Sequence, residues 1–486
     1  MVQRDDLPIF SAGCVVRIPN AADEGKDFVS RWSNTQLSLP AATIVPATED
    51  DIVAAVKYAA ESRLKVIPAG GTHGTFVPID ERCIYLDMKE FSGIALDEDA
   101  ETVSLGGGVI ARDVVRTLSE RGFYTSVPNS NAVGMVGYCL GGGSSSFNGL
   151  KGLAIDNVLQ IRIITASGDV LQLSPNSSGE EGELFNVLCG AGFGFGVITS
   201  LTLRAWRIKE LQMDEDKIWT RKLIFPPPAI AVAAELFTKL QQPGPKLMAT
   251  LLFMRAPPSA PKPGAPMILL NVNYLGPSAD AEKAAAITFD PGYTSKAIVA
   301  ETGSTSVSSM NDMAEPLNRH GDYKEMYAAW CSSIPAASVI SAFQRWLLFG
   351  EETPEARATS YVVLAAKSTK GMLDNDLDGR KFFPRTIRER TVFVQITPWW
   401  TTESAEPQAR TWAAEMLKLL NVPQHDWAAD EARMAGEGRV SAFAANLSKG
   451  IDLSTVWPPD KVGMIRRLKS RWDAESTFWT PVVDGL

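Results

Sequence analysis

At 486 residues, with 45% hydrophobic and 21% charged side chains, the chain exceeds what one hydrophobic core supports, and its composition excludes the disordered, collagen-like and coiled-coil classes. Forty-seven basic against 56 acidic residues leave a formal charge of −9, a field that repels phosphate backbones and anionic lipid, so neither nucleic acid nor membrane is an expected partner. No run reaches the roughly 18 apolar residues of a membrane helix, and MVQRDDLPIF lacks the regions of a secretion signal, so a cytoplasmic protein is expected.

Residues 40–206 alternate short β-rich runs with helical ones and place glycine clusters at the turns between them, the pattern of an α+β lobe. Thr48 and Asp51 have capping-box spacing, and Ile52, Val53, Val56, Ala59 and Ala60 then share one helical face. A strand over 65–67 runs into Gly70-Gly71-Thr72-His73-Gly74. Further strands are predicted at 83–87 and 102–105, a helix over 109–121 stopped by Gly122, and a hairpin over 158–174 around Ser167-Gly168-Asp169. After Trp206 the glycine clusters give way to proline. Residues 226–228 and 256–266 read as surface loops. Helical patterns over 229–241, 279–288, 336–349 and 405–420 alternate with strand-like runs at 247–254, 267–274, 361–366 and 391–397, which predicts an antiparallel sheet covered by helices on one face.

Three glycine-dense turns dominate the first lobe: residues 70–74, 134–143 (GMVGYCLGGG) and 190–196 (GAGFGFG). Glycine lets a backbone approach a ligand closely and turn its amides inward, so such turns can cradle a diphosphate without a lysine. None spells G-x-G-x-x-G in a βαβ unit or G-x-x-x-x-G-K-[ST], which argues against a nicotinamide-type site and a nucleoside-triphosphate loop. There is no G-x-S-x-G elbow and no H-E-x-x-H. The histidines are His73, His320 and His425, too few for a His-rich metal site, so no metal is expected. Cys14, Cys83, Cys139, Cys189 and Cys331 form no C-x-x-C pair and read as buried thiols.

The ordered run PAATIVP, GGTHG, CIYLD, SLGGG, GMVGYCLGGG, GLAIDNV, ITASGDVLQLS and ELFNVLCGAGFGFGVITSLTLR resembles the PCMH-type FAD-binding lobe of the vanillyl-alcohol-oxidase superfamily over about 170 residues. TVFVQITPWW followed by Trp412, and RWDAESTFW near the C-terminus, are similar to its berberine-bridge-enzyme-like branch. The resemblance implies a two-lobed α+β fold: an FAD-binding domain over 1–210 (core 38–209), a substrate domain over 211–435, and a segment 436–486 returning to the FAD domain.

It also implies roles for particular residues. Ala69, Gly70, Gly71, Thr72, His73 and Gly74 hold the FAD diphosphate. The family's usual pattern has the flavin-tethering histidine directly after the paired glycines, where this chain has Thr72. Either His73 reaches the flavin by a one-residue slip, or the tether is absent. Ser130 stands where some members carry a second tethering cysteine, so a bicovalent flavin is not expected. Asn131, Val133, Gly134, Gly137, Gly141 and Gly142 complete the central cradle, and Tyr138 stands at the place of a histidine near the flavin's ribityl and pyrimidine edge. Asp156 and Val158 brace that turn. Gly192, Gly196, Val197 and Ile198 approach the adenine end, with Gly194 replacing an asparagine, and Asn446 answers to a flavin-contacting asparagine. No carboxylate base transfers: residues 391–400 offer only Gln395 and Thr397 as candidates, and Tyr361 and Tyr274 stand as alternative bases, each with a structural role as the competing reading. Phe393, Trp399 and Trp400 are candidates for an apolar pocket. The implied activity is an FAD-dependent oxidase or oxidative cyclase acting on a small hydrophobic molecule of secondary-metabolite type, with hydride passing to flavin N5 and dioxygen as reoxidant. A redox-neutral FAD-containing cyclase or isomerase is the alternative, and a flavin carrier a third. Oligomeric state is not legible.

Overall fold

The computed structural model describes residues 6–20, 22–376, 382–383, 385–420, 444–447, 453 and 456–485. The first element that can be built from sequence is helix α1 (Glu49–Glu61). The Asp51 amide donates to Thr48 Oγ1 and the Thr48 amide to the Asp51 carboxylate, closing a capping box. Its buried face, Ile52, Ala55, Val56 and Ala59, packs on Ile44, Val66, Ile84 and Leu86. Those residues belong to a four-stranded sheet of β1 (Val15–Arg17), β2 (Ala42–Val45), β3 (Lys65–Ala69) and β4 (Cys83–Asp87), ordered β1-β2-β4-β3 with β2, β4 and β3 parallel.

A second, antiparallel sheet contains β5 (Ile94–Asp97), β6 (Thr102–Gly106), β7 (Val158–Ile164), β8 (Val170–Leu173) and β9 (Val197–Arg204), in the order β5-β6-β9-β7-β8. Helices α2 (Ala111–Glu120), α3 (Met135–Leu140) and α4 (Gly179–Ala191) complete this lobe. The second lobe is built on seven antiparallel strands: β10 (Lys217–Phe225), β11 (Leu247–Arg255), β12 (Pro266–Tyr274), β13 (Val299–Ser306), β14 (Tyr327–Cys331), β15 (Tyr361–Lys367) and β16 (Val392–Thr397), ordered β13-β10-β12-β11-β15-β16-β14. Helices α5 (Ile230–Lys239), α6 (Ala336–Glu352) and α7 (Glu406–Leu420) cover one face. Strands β10, β13 and β14 are not among the predicted runs. β13 is a polar, exposed edge and β14 reads YAAWC, so neither carries the alternating β-branched pattern.

Strand alternation sorts the second sheet's side chains. Val362, Leu364, Ala366, Val394 and Ile396 join the helical layer, whereas Ala328, Trp330, Ala365 and Phe393 belong to the core of the first lobe. Register pairs Tyr361 with Thr397, Val363 with Gln395 and Ala365 with Phe393 on that inner face. Tyr274 falls on the other side. It packs with the helical core beside Leu247 and Trp219, which removes it from the candidate bases.

Helix α8 (Pro459–Trp472) lies beside α4, and the Val66 amide donates to Thr477 O, so the end of the chain extends the first lobe. The boundary expected at 435/436 lies outside the described residues. Among the described residues, no helix is long and apolar enough to cross a membrane, and no cluster of His, Cys, Asp and Glu has the makings of a metal site.

Candidate functional site

Strand β3 delivers the chain to Gly70 through Gly74, where Thr72 adopts φ +54°. The amides of Gly71, Thr72, His73 and Gly74 find no acceptor among the described residues. A Cβ on Gly71 would lie 2.2 Å from Gly134 N and 2.6 Å from Ala132 O, and one on Gly134 would lie 2.4 Å from Gly71 N. The first two glycine turns therefore touch backbone to backbone, an approach open only to glycine. Antiparallel bonds hold the second turn: Ala111 N donates to Val133 O and Met135 N to Val109 O, each at 2.9 Å. The turn Gly106–Gly108 backs the first, with Gly107 O 3.0 Å from a Cβ built on Gly70.

Helix α3 follows directly. Gly137 is exposed and faces open space, while Tyr138 is buried. At Gly143 (φ +77°) a Cβ would meet Ala154 Cβ at 2.4 Å and Tyr138 Cζ at 3.0 Å, so the end of the run is glycine because the tyrosine ring lies against it. Thr72 Oγ1, His73 Nε2 and the Tyr138 hydroxyl are all buried without a hydrogen-bond partner among the described residues. Each such group costs about 1–3 kcal/mol unless a ligand answers it. Four free amides and three unanswered polar atoms around two touching glycine turns fit a dinucleotide diphosphate and its attached ring, so the residues present suit FAD.

His73 is stacked on Trp32, centroids 4.2 Å apart at 16°. Trp32 Nε1 donates to Leu317 O at 2.8 Å, and Lys324 Nζ lies 5.0 Å from the Trp32 ring and 4.2 Å from the Trp399 ring. Lys324 donates to the carbonyls of Trp32, Arg319 and Gly321. Burial, then the Lys324 and His320 charges, push the His73 pKa down to about 3, so its ring is neutral at working pH. The sign follows from linkage: the unfolded histidine takes a proton near pH 6.5 and the folded one does not, so stability is lost as pH falls from 6.5 towards 3. After allowance for its partial exposure, this amounts to about 1 kcal/mol at pH 5. Urea unfolding of a His73→Phe variant, which keeps the stack, is expected to show less loss between pH 7 and pH 5 than the parent.

The remaining expected cofactor residues divide. Ser130 Oγ donates to Asn318 Oδ1 at 2.6 Å, and Asn131 Nδ2 donates to Asp312 Oδ1 at 3.0 Å and Glu315 Oε2 at 3.1 Å. Both side chains are thus committed to a turn of the second lobe. Asp156 takes the Leu153 amide at 2.8 Å and forms a two-pronged pair with Arg388 at 2.8 and 2.9 Å, both side chains fully buried. Val158 opens β7 and is buried. The third glycine turn is closely packed by neighbouring segments. A Cβ on Gly192 would meet Leu140 at 2.5 Å, on Gly194 (φ +89°) Trp479 O at 2.4 Å, and on Gly196 (φ +153°) Ile164 O at 2.5 Å. Lys469 Nζ donates to Gly194 O at 2.7 Å, and the close passage of residue 479 explains why Gly194 replaces a larger residue. Val197 and Ile198 are buried in the two cores of this lobe. Asn446 is half-buried, in a turn beside α3. Gly141 and Gly142 are buried, Gly142 at φ +111°.

The opposite wall is the inner face of the second sheet. Gln395 Nε2 donates to the Tyr361 hydroxyl at 3.3 Å and to Thr397 Oγ1 at 3.1 Å. Burial raises the Tyr361 pKa, and burial likewise holds Tyr138 well above the ordinary tyrosine range. Around this polar group, Val363, Ala365, Ala328, Trp330 and Phe393 make an apolar surface. Of the tryptophan pair, Trp399 Nε1 donates to Asp322 Oδ2 at 2.9 Å, and Trp400 stacks on Tyr323 within the helical core. The pair is a strut, and Phe393 alone of the three expected aromatics lies on the wall. Sequence reading missed Lys367, Trp32 and Arg388. A lysine closing an otherwise apolar strand, YVVLAAK, was the one available signal.

Residues 40–174 match a family described as "FAD binding domain". Across 451 residues, 92% of each chain, the sequence is 25% identical to the FAD-linked oxidoreductase hasG of Aspergillus fumigatus. Among solved structures, BBE-like 1 of Physcomitrella patens superposes with a TM-score of 0.75 at 15% identity, covering 96% of both chains. GilR, an oxidoreductase of gilvocarcin biosynthesis seen with pregilvocarcin, superposes with a TM-score of 0.71 at 18% identity, covering 92% of this chain and 96% of that one.

Proposed function

We propose that this chain, like the FAD-linked oxidoreductases it resembles over at least 90% of its length, oxidises a small hydrophobic molecule bearing a hydroxyl or amine, of secondary-metabolite type, with dioxygen as final acceptor. The observation that carries the reading is the Tyr361–Gln395–Thr397 hydrogen-bonded group set in an apolar wall opposite the glycine cradle. Gly71 to Gly74 would hold the FAD diphosphate through their amides, and Tyr138 would donate its hydroxyl proton to the ring system. Bound there, FAD supplies the two-electron acceptor for the substrate's hydride.

The chain's own residues do the rest. Val363, Ala365, Ala328 and Phe393 exclude water and seat an apolar or aromatic body. Gln395, by donating to the Tyr361 oxygen, directs the phenol's O–H away from itself and into the cleft. With its pKa raised by burial, Tyr361 keeps that proton at neutral pH and binds the substrate oxygen or nitrogen, fixing which carbon faces the cofactor.

Tyr361→Phe is expected to lower the rate of anaerobic flavin bleaching by about 100-fold, the loss that follows when a substrate-positioning contact is removed, while leaving the flavin spectrum unchanged. An unchanged rate would remove Tyr361 from the mechanism. The inner face also favours a second reading. Tyr361, Val363, Ala365, Lys367, Phe393, Gln395 and Thr397 include no carboxylate, which suits a redox-neutral cyclisation or isomerisation. Product mass separates the two: two hydrogens fewer than the substrate supports oxidation, and an equal mass supports the redox-neutral alternative.

A further inference from the structure

Lys367 ends β15 on the same face as Tyr361, Val363 and Ala365 and is only 3% exposed. Its Nζ donates to Ser144 Oγ at 2.8 Å and Ser145 O at 3.1 Å and lies 5.9 Å from the centre of the Phe393 ring. Both acceptors are uncharged, and both directly follow Gly141–Gly143. Among the described residues, the guanidinium groups of Arg31, Arg221 and Arg255 are likewise buried against uncharged acceptors, whereas the remaining buried cations are settled differently. Arg388 faces Asp156, Lys469 faces Asp473, and Lys324 fills all three of its N–H bonds with carbonyls between two indole faces. Lys367 has two hydrogen bonds for three donors and no carboxylate.

A buried ammonium without a counter-ion costs several kcal/mol, and burial pushes this one down to about 7. If the lysine served only to tie residues 144–145 to the sheet, an uncharged donor would do so at less cost. Its position, where the end of the central glycine run meets the inner wall, is where a cofactor held by the cradle and a substrate on the wall must meet.

We propose that Lys367 is the counter-charge for the negative charge that bound FAD gains on reduction, and thereby a positioning residue that sets the cofactor's reduction potential. Reduction by a hydride adds two electrons and one proton to the cofactor. Lys367 exchanges no atom with it and acts by its field alone. The inference rests on FAD as the cofactor and is independent of the substrate reading, so it is tested without substrate.

The test compares FAD-loaded parent, Lys367→Gln and Lys367→Arg by dye-equilibrated reductive titration and by sulfite titration of the flavin. Glutamine keeps a donor for Ser144 or Ser145 and removes the charge. The expected result is a sulfite dissociation constant at least tenfold higher in Lys367→Gln. Its potential should be lower by about 30 mV or more, the equivalent of tenfold for a two-electron couple, and both values should recover in Lys367→Arg. Unchanged sulfite affinity and potential with a lower melting temperature would reduce Lys367 to a strap and overturn the proposal. So would weaker FAD retention at an unchanged potential, which would assign the lysine to the diphosphate. Should Lys367→Gln fail to fold, Lys367→Met, which fills a similar volume without charge, takes its place: a sulfite constant at least tenfold higher supports the proposal and the parent's constant overturns it.

Discussion

A Gly71→Val protein is expected to purify colourless, with FAD affinity reduced by about 100-fold or more. The first branch of that side chain would lie 2.2 Å from Gly134 N and 2.6 Å from Ala132 O, well inside contact distance, and those atoms are backbone with no rotamer to yield. The turns at 70–74 and 134–137 would have to part. Gly134 is held on its far side by the bonds between residues 109–111 and 133–135, so the displacement falls on Gly71 to Gly74, whose free amides form the cradle. Overpacking costs typically 1–3 kcal/mol, and at 1.4 kcal/mol per tenfold the upper end corresponds to about 100-fold in binding. The absorbance of the purified protein and a titration with added FAD measure it. By contrast, Gly137→Ala, where a Cβ meets nothing within 4 Å, should leave the fold unaltered. Its effect on FAD affinity reports how closely the cofactor approaches α3.

Arg388→Ala should cost about 3–5 kcal/mol, because it removes one partner of a fully buried, two-pronged ion pair. The pair joins the turn that supports the end of the central glycine run to the helix Arg385–Arg388 of the second lobe. Arg388 also donates to Met372 O at 2.9 Å, so its loss opens a second carbonyl. A fall in melting temperature on the order of 10 °C is expected. The double variant Asp156→Leu with Arg388→Met should recover much of it, since two apolar groups remove both fully buried charges and Asp376, 3.6 Å from Arg388 Nε, keeps Arg385 at 3.5 Å. Recovery would identify the cost as uncompensated charge, and a double variant as unstable as the single would instead indicate lost packing.

Much of the first lobe could be read from the chain because its signals are local. The Thr48–Asp51 capping box, the 158–173 hairpin and the glycine turns each declare themselves within a short stretch of neighbouring residues. The third glycine turn is less transparent. Its glycines satisfy the steric demand of Leu140, Ile164 and Trp479, and a positive φ forced by a neighbouring chain looks identical in sequence to one shaped for a ligand. Ser130 and Asn131 were assigned to the cofactor by position, yet their partners, Asn318, Asp312 and Glu315, lie more than 180 residues along the chain.

The amino-acid order by itself determined where the backbone must be glycine and which strands and helices frame those places, since steric freedom and side-chain periodicity are properties of neighbouring residues. Only the tertiary structure decided which glycines face each other across a cradle, that Tyr274 lies among helices while Tyr361 meets Gln395, and that Lys367 enters the cleft uncompensated while Arg388 finds Asp156, 232 positions away. Those outcomes depend on strand register and on the docking of two lobes, and a shift of one residue in register would send Tyr274, Tyr361, Lys367 and Gln395 to the opposite face of the sheet.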